Sequence, residues 1–178
     1  MKLESFRRRF FELVPRYEWA GTLGHGGIGV VFKAFDRELE ETVAIKVLSP
    51  NVGRDENALL SRFKREVALN RKIKHPNVAR MHDYGIAGDY PFITMELIDG
   101  ADLWTLVGQR RRFPPAEAVP ILRQIARGTA AIHRLGILHR DLKSQNVIVD
   151  AQGAAVILDF GLARHPGEPG LTLASVLL

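Results

Sequence analysis

The sequence contains no cysteine, which excludes disulfides and thiolate metal sites and fits a cytoplasmic protein. Its six histidines show no H-x-x-x-H spacing, so a structural zinc is not expected. No apolar run approaches the ~18–20 residues of a membrane span, and no apolar stretch of signal-peptide length follows Lys2 and the triple arginine at 7–9. Internal repeats and low-complexity tracts are missing too. Long blocks of one charge are scarce: 25 Lys and Arg against 20 Asp and Glu give a net charge of +5. The basic residues fall in scattered clusters at 7–9, 62–74 and 110–112. Such clusters read as solvated faces, and no nucleic-acid partner is expected.

What is present suits a folded chain, since 46% of its 178 residues are hydrophobic and 25% charged, enough for one domain or two small lobes. Residues 1–15 carry Phe10, Phe11, Leu13 and Val14 beside the arginines and predict a short amphipathic helix docked on its own domain. Membrane contact is the sharper alternative, but one short helix binds bilayers weakly. Strand-like runs follow at 17–23, 29–35 and 42–48. Between the first two lies Gly24-His25-Gly26-Gly27-Ile28-Gly29, whose glycines allow a tight hairpin and leave room for phosphate against bare backbone N–H groups. The same spacing marks dinucleotide folds, but here no helix follows it. Val43-Ala44-Ile45-Lys46 then places Ala44 and Lys46 on one strand face, a small floor for a purine beside a cation for phosphate.

Residues 55–74 read as a helix with Leu59, Phe63, Val67 and Ile73 as its buried stripe, ended by His75-Pro76-Asn77. Glu66 lies next to that stripe and can reach Lys46. Strands are predicted at 78–84 and 92–97, so five strands and one helix imply a mostly antiparallel sheet covered by that helix. Ile98-Asp99-Gly100 breaks the pattern. Helices follow at 103–109 and 115–135, the second with Ala118, Leu122, Ile125, Thr129 and Ile132 at helical spacing, Pro115 in its first turn and Gly136 at its end. Two short strands, 147–149 and 155–158, flank a turn at 150–153, and no stable element is assigned to 165–178.

The densest chemistry lies in His139-Arg140-Asp141-Leu142-Lys143-Ser144-Gln145-Asn146, followed by Asp159-Phe160-Gly161. Two carboxylates, an ammonium and a carboxamide on one loop and its neighbouring turn suit metal-bound phosphate beside a hydroxyl. Turn chemistry alone would account for Asp141, Asn146 and Asp159, but not for Lys46, Glu66 and the glycine turn as well. Together these segments, from about residue 17 to 178, resemble the eukaryotic-like Ser/Thr protein kinases of bacteria.

The resemblance implies an α+β, protein-kinase-like fold. A complete N-lobe of five antiparallel strands and one helix would span 17–98 after an N-terminal extension at 1–16. A truncated, mainly helical C-lobe would span 99–178. It further implies ATP and Mg2+. Leu23, Gly24, Gly26, Gly29 and Val31 would cover the nucleotide, and Lys46, steadied by Glu66, would bind its α- and β-phosphates. Val31, Ala44 and Ile148 would sandwich the adenine, whose edge would bond the Glu96 carbonyl and the Ile98 backbone, with Met95 as gatekeeper. Asp141 would accept the proton of the attacking hydroxyl, Lys143 would neutralise the moving phosphoryl group, and Asn146 and Asp159 would hold the metal. Lys143 is also characteristic of the Ser/Thr branch, and Arg140 suits pairing with a phosphorylated activation loop.

Two departures from the pattern bear on function. Asn70 stands where an apolar residue is usual on the inward helix face. The resemblance also stops inside the activation segment, so later C-lobe helices are expected to be missing and the 115–135 helix to expose a wide apolar patch. The leading expectation is therefore a Ser/Thr kinase catalytic-domain fragment acting on protein hydroxyls. The alternative is a pseudokinase-like nucleotide-binding or regulatory module that needs a complementary C-lobe or partner kinase. A small-molecule phosphotransferase is disfavoured by Lys143 and by the form of the glycine turn.

Overall fold

The computed structural model describes residues 3–26, 29–48, 64 and 67–158. The start of the 55–74 helix, with Leu59, Phe63 and Glu66, lies outside these residues, as do Gly27, Ile28 and everything from Asp159 onward.

Helix α1 spans Leu3–Leu13. Phe6 and Phe10, one helical turn apart, turn inward with Val14, and Pro15 closes the segment as the Tyr17 N–H donates to the Val14 carbonyl at 2.9 Å. The helix therefore lies on its own domain. Five strands follow: β1 (Tyr17–Gly26), β2 (Gly29–Asp36), β3 (Glu41–Leu48), β4 (Met81–Ala87) and β5 (Tyr90–Glu96). They form one sheet in the order β1-β2-β3-β5-β4, every neighbouring pair antiparallel.

In β3 the residues from Val43 to Leu48 are all buried, because both sheet faces are covered. Val43, Ile45 and Val47 join Val30, Phe32, Ala34, Tyr90 and Phe92 beneath α1. On the opposite face Ala44 and Leu48 join Val31, Ile93, Met95 and Val67, the last from a helical stretch at 67–70. That stretch ends before Lys74, in a turn at 71–72. Asn70 is 3% exposed within it, as its inward position predicts.

Two strands differ from their predicted bounds. The fourth runs from 81 to 87 instead of 78 to 84, and the fifth starts at Tyr90, because Gly88 (φ +59°) and Asp89 form a two-residue turn between paired Ala87 and Tyr90. Val78 leaves the sheet and bridges in parallel to Ile157.

The second half contains β6 (Ala101–Asp102), α2 (Leu103–Arg110), α3 (Pro115–Arg134), a 3-10 turn at Ser144–Asn146, β7 (Val147–Val149) and β8 (Ala155–Ile157). Asp102 caps α2, accepting from the Thr105 N–H at 2.9 Å and the Thr105 hydroxyl at 2.6 Å. Gly136 (φ +70°) ends α3 by donating its N–H to the His133 carbonyl.

The buried face of α3 is Ile121, Gly128, Ala131 and Ile132, with Ile125 packed alongside, whereas Leu122 is 60% exposed. The stripe is thus rotated by one position from the predicted one. Gly128 dictates this, since a Cβ there would stand 2.7 Å from the Asn77 carbonyl and 2.9 Å from Ile157 Cδ1. Turned outward instead are Val119 and Leu122, followed beyond the helix by Leu138 and Leu142.

Asp36, at the end of β2, is 2% exposed and fully engaged. Arg16 donates Nη2 to Oδ2 at 2.6 Å and Nε to Oδ1 at 2.9 Å, and the Glu38 and Leu39 N–H groups also donate to Oδ1. The guanidinium holds this carboxyl below the ordinary carboxylate range, against an opposing effect of burial. A depressed carboxyl contributes stability that is complete above its unfolded pKa of about 3.9 and disappears as pH falls through the lower folded value. Asp36→Asn should therefore destabilise the fold at pH 7 by roughly 1.5–3 kcal/mol and lose less on acidification than wild type does. Urea titrations at pH 7 and pH 3 check both statements.

Candidate active site

The glycine hairpin is built from β1 and β2, with Gly24 opposite Val31 and Gly26 opposite Gly29 at the tip. Bulges between Trp19 and Gly21 and between Thr22 and Gly24 let β1 bend over β2. Gly24 is buried and Leu23 exposed. Gly29 is required for a reason invisible in the motif: a Cβ there would lie 2.1 Å from the Val47 carbonyl oxygen, so close approach to β3 excludes a side chain.

Lys46 is 6% exposed and sits between Val31 of β2 and Ile93 of β5. It shares its strand face with Ala44, which stands opposite Met95. Val31, Ala44 and Met95 belong to one apolar cluster, so the proposed adenine floor and the lysine lie on a continuous surface. Beyond Glu96 the chain leaves the sheet through Leu97, Ile98 and Asp99. At Gly100 a Cβ would lie 2.5 Å from the Val149 carbonyl and 2.7 Å from Ile148 Cγ2, so this connection runs tight against β7. Ile148 is half-buried between Val147 and Val149, which both enter the core with Ile121 and Ile132; alternation turns Ile148 to the other face.

The second group sits on the 139–146 loop. The Asn146 side-chain N–H donates to the Asp141 backbone carbonyl at 2.8 Å and to Asp141 Oδ2 at 3.2 Å. Lys143 Nζ stands 3.6 Å from the same Oδ2, with both side chains partly open to solvent. His139, 4% exposed, meets the Leu158 carbonyl through Nε2 at 2.9 Å and accepts the Asp141 N–H at Nδ1. This pairing defines the neutral tautomer protonated at Nε2. The Leu158 N–H donates to the Asn146 carbonyl at 2.8 Å, so the residue preceding Asp159 is held at both its backbone polar groups. Glu66 and Asp159 themselves lie outside the described residues.

Asn146 is completely buried, yet its Oδ1 accepts no hydrogen bond among the described residues. An oriented, unsatisfied amide oxygen beside a carboxylate suits a hard cation. No three His, Cys, Asp or Glu side chains cluster as a metal cage among the described residues.

Two positioning roles escaped the sequence reading, in which Asn77 figured only in the helix-ending His75-Pro76-Asn77. Asn77 donates its amide to the Ala155 carbonyl at 2.8 Å and to Gln124 Oε1 at 3.0 Å, while Gln124 accepts the Ala155 N–H and donates to the Gly153 carbonyl. The Ile157 N–H donates to the Asn77 carbonyl and the Ala79 N–H to the Ile157 carbonyl. This seam ties the segment leading into β4 to β8 and α3. A glutamine bordering an apolar helical stripe was the available signal.

Residues 17–175 match the protein kinase domain family. The chain is 38% identical over 156 residues to serine/threonine-protein kinase PknD of Mycobacterium tuberculosis, covering 88% of this chain and 23% of PknD. It is 41% identical over 152 residues to serine/threonine-protein kinase pkn2 of Myxococcus xanthus, covering 84% of this chain and 18% of that one. Among solved structures it superposes on the Mycobacterium tuberculosis PknI kinase domain (C20A mutant) with a TM-score of 0.74 at 29% identity, over 86% of this chain and 62% of that one. It also superposes on Rad53 in complex with AMP-PNP, with a TM-score of 0.74 at 27% identity, over 85% and 40% of the two chains. The fold, a five-stranded antiparallel sheet followed by a mainly helical part, is the one these kinase domains share. The chain belongs to the protein kinase family, and it spans less than a quarter of the length of PknD or pkn2. No helix among the described residues is long and apolar enough to cross a membrane.

The glycines yield a paired test. Gly29→Ala should lower the melting temperature, since overpacking costs about 1–3 kcal/mol. Gly108→Ala inside α2, where a Cβ meets nothing within 4 Å, should raise it by removing up to ~1 kcal/mol of helix penalty. Differential scanning fluorimetry of the two variants reads both shifts.

Proposed function

We propose that this chain is the nucleotide-binding and catalytic part of a Ser/Thr protein kinase, transferring the γ-phosphoryl group of Mg-ATP to a protein Ser or Thr hydroxyl. The observation that carries the reading is Asn146, whose amide N–H orients Asp141 while its buried Oδ1 is left for a cation. The names of the similar kinases and the AMP-PNP complex of Rad53 support it.

In this reading Leu23, Gly24, Gly26, Gly29 and Val31 cover the nucleotide, with Ala44 and Ile148 on either side of the base. The Glu96 carbonyl and the Ile98 backbone hold its edge. Lys46, with Glu66 as its partner, meets the α- and β-phosphates. Asn146 Oδ1 and Asp159 hold Mg2+, which when bound neutralises phosphate charge.

Asp141 acts as the base. Both Asn146 and Lys143 contact Oδ2, which leaves Oδ1 to take the proton of the attacking hydroxyl. Lys143 lies within reach of the same carboxylate and the moving phosphoryl group, so its charge offsets the negative charge that builds there. The lobes divide as 17–98 and 99–178, and the setting is the cytoplasm, where ATP and Ser/Thr substrates occur together.

A second reading has support in the exposed apolar side chains. Val119 (49%), Leu122 (60%) and Leu138 (60%) suit burial by further kinase-domain helices, and the PknI kinase domain is longer than this chain. In that case the chain binds nucleotide without turnover until a complementary C-lobe or partner kinase covers this face.

Asp141→Asn keeps the shape of the side chain but removes the base. Magnesium-dependent labelling of a basic protein by [γ-32P]ATP should fall about 100-fold or more, while Mg-ATP binding by thermal shift persists. Equal labelling by both proteins refutes the catalytic reading. Lys46→Met should instead abolish the thermal shift. Binding without labelling in wild type, cured by adding the helical remainder of a kinase domain in trans, selects the second reading.

A further inference from the structure

The family match begins at Tyr17, so helix α1 lies outside it. Yet Phe10 is 0% exposed and Phe6 6%. The Phe10 ring packs against Phe32 at 6.1 Å and against Phe92, edge to face, at 5.4 Å; Phe6 meets Phe32 at 6.2 Å and Tyr90 at 5.1 Å. Among the described residues, the cluster on this sheet face consists of strand residues together with Leu3, Phe6, Phe10, Phe11 and Val14. The 3–14 segment is therefore the cover that makes this face an interior.

The strands that α1 covers carry the nucleotide surface on their other side. Phe32 pairs with Ile45 and both face α1, whereas the adjacent pair, Val31 with Lys46, faces the cleft together with Ala44. A close-packed interior transmits displacement, so the thickness of the aromatic layer sets where β2 and β3 lie. Arg7 stacks over Trp19 at 4.2 Å and Arg9 lies 5.9 Å over Tyr90, which fixes the helix across both β1 and β5.

We infer that α1 is a positioning element of the cleft, in which Phe10 and Phe6 brace β2 and β3 from behind and so aim Val31, Ala44 and Lys46. Phe10 belongs to the cluster on the face away from Val31 and Ala44 and works through Phe32. The link to affinity rests on the nucleotide reading above; the bracing of the two strands does not.

The experiment compares the full chain with Phe10→Ala, Phe10→Leu and, as a control in the other core, Ile121→Ala, at a temperature where all are folded. In Phe10→Ala, amide hydrogen exchange at Val31, Phe32 and Lys46 should quicken about tenfold or more, and affinity for Mg-AMP-PNP should fall roughly tenfold. Phe10→Leu, which keeps an apolar plug, should restore most of both. Ile121→Ala should change neither, although it lowers the melting temperature. Wild-type exchange and affinity in Phe10→Ala overturn the inference, as does an equal loss of affinity in Ile121→Ala. If wild type binds no nucleotide while strand exchange still responds to Phe10→Ala, the nucleotide reading fails and the bracing role stands.

Discussion

Burial of β3 on both faces is the constraint from which the rest of the structure follows. A strand whose residues from 43 to 48 are all enclosed needs a partner layer on each side. On one side the layer is the aromatic packing of α1, and on the other the apolar surface that includes Val31, Ala44 and Met95. Lys46 is embedded in that second face at 6% exposure, so its ammonium is held by its surroundings and does not sample the long flexible arc of a surface lysine. A cation placed this way is pre-oriented, which suits the phosphate contact proposed for it.

The two parts of the molecule are joined by backbone and amide hydrogen bonds as well as by side-chain packing, in which Ile73 and Val78 share a core with Ile121, Ile132 and Ile157. Asn77 and Gln124 stitch the chain before β4 to β8 and α3, and Gly128 lets helix and loop approach closely. The same β8 continues into Leu158, which His139 and Asn146 grip from the 139–146 loop. One short strand thus registers the sheet half, the long helix and the loop together. Buried amides of this kind are costly when unpaired and rigid when paired, so they fix relative position where apolar packing would leave play.

Polar satisfaction separates structural groups from chemical ones. Asp36 is buried with a guanidinium and two backbone donors around it, and Asp102 closes a helix cap; neither offers anything to a ligand. Asn146 is equally buried but leaves Oδ1 unsatisfied among the described residues, and the neighbouring Asp141 is engaged through Oδ2. A buried amide oxygen left without a partner calls for an explanation, and in the proposed reading a bound cation supplies it.

Linear pattern was enough to expose the glycine hairpin, the alternation that places Ala44 and Lys46 together, the two-part architecture and the loop from His139 to Asn146. These depend on local spacing or on residue types that a given chemistry demands, and both survive in one dimension. The face of α3 was not legible: Leu122 and Ile121 are both apolar, and only the approach of Asn77 to Gly128 decides between them. Nor was the register of β4, which hangs on a two-residue turn at Gly88 and Asp89, or the Arg16–Asp36 pair, whose members are 20 residues apart. The sequence by itself determined which side chains are candidates for phosphate chemistry and, for those among the described residues, on which strand or loop each is carried. The tertiary structure decided which of them are buried, which atoms remain unsatisfied, and which rings of the N-terminal helix pack against which strands. Those properties arise from contacts between distant segments, and no local pattern encodes them.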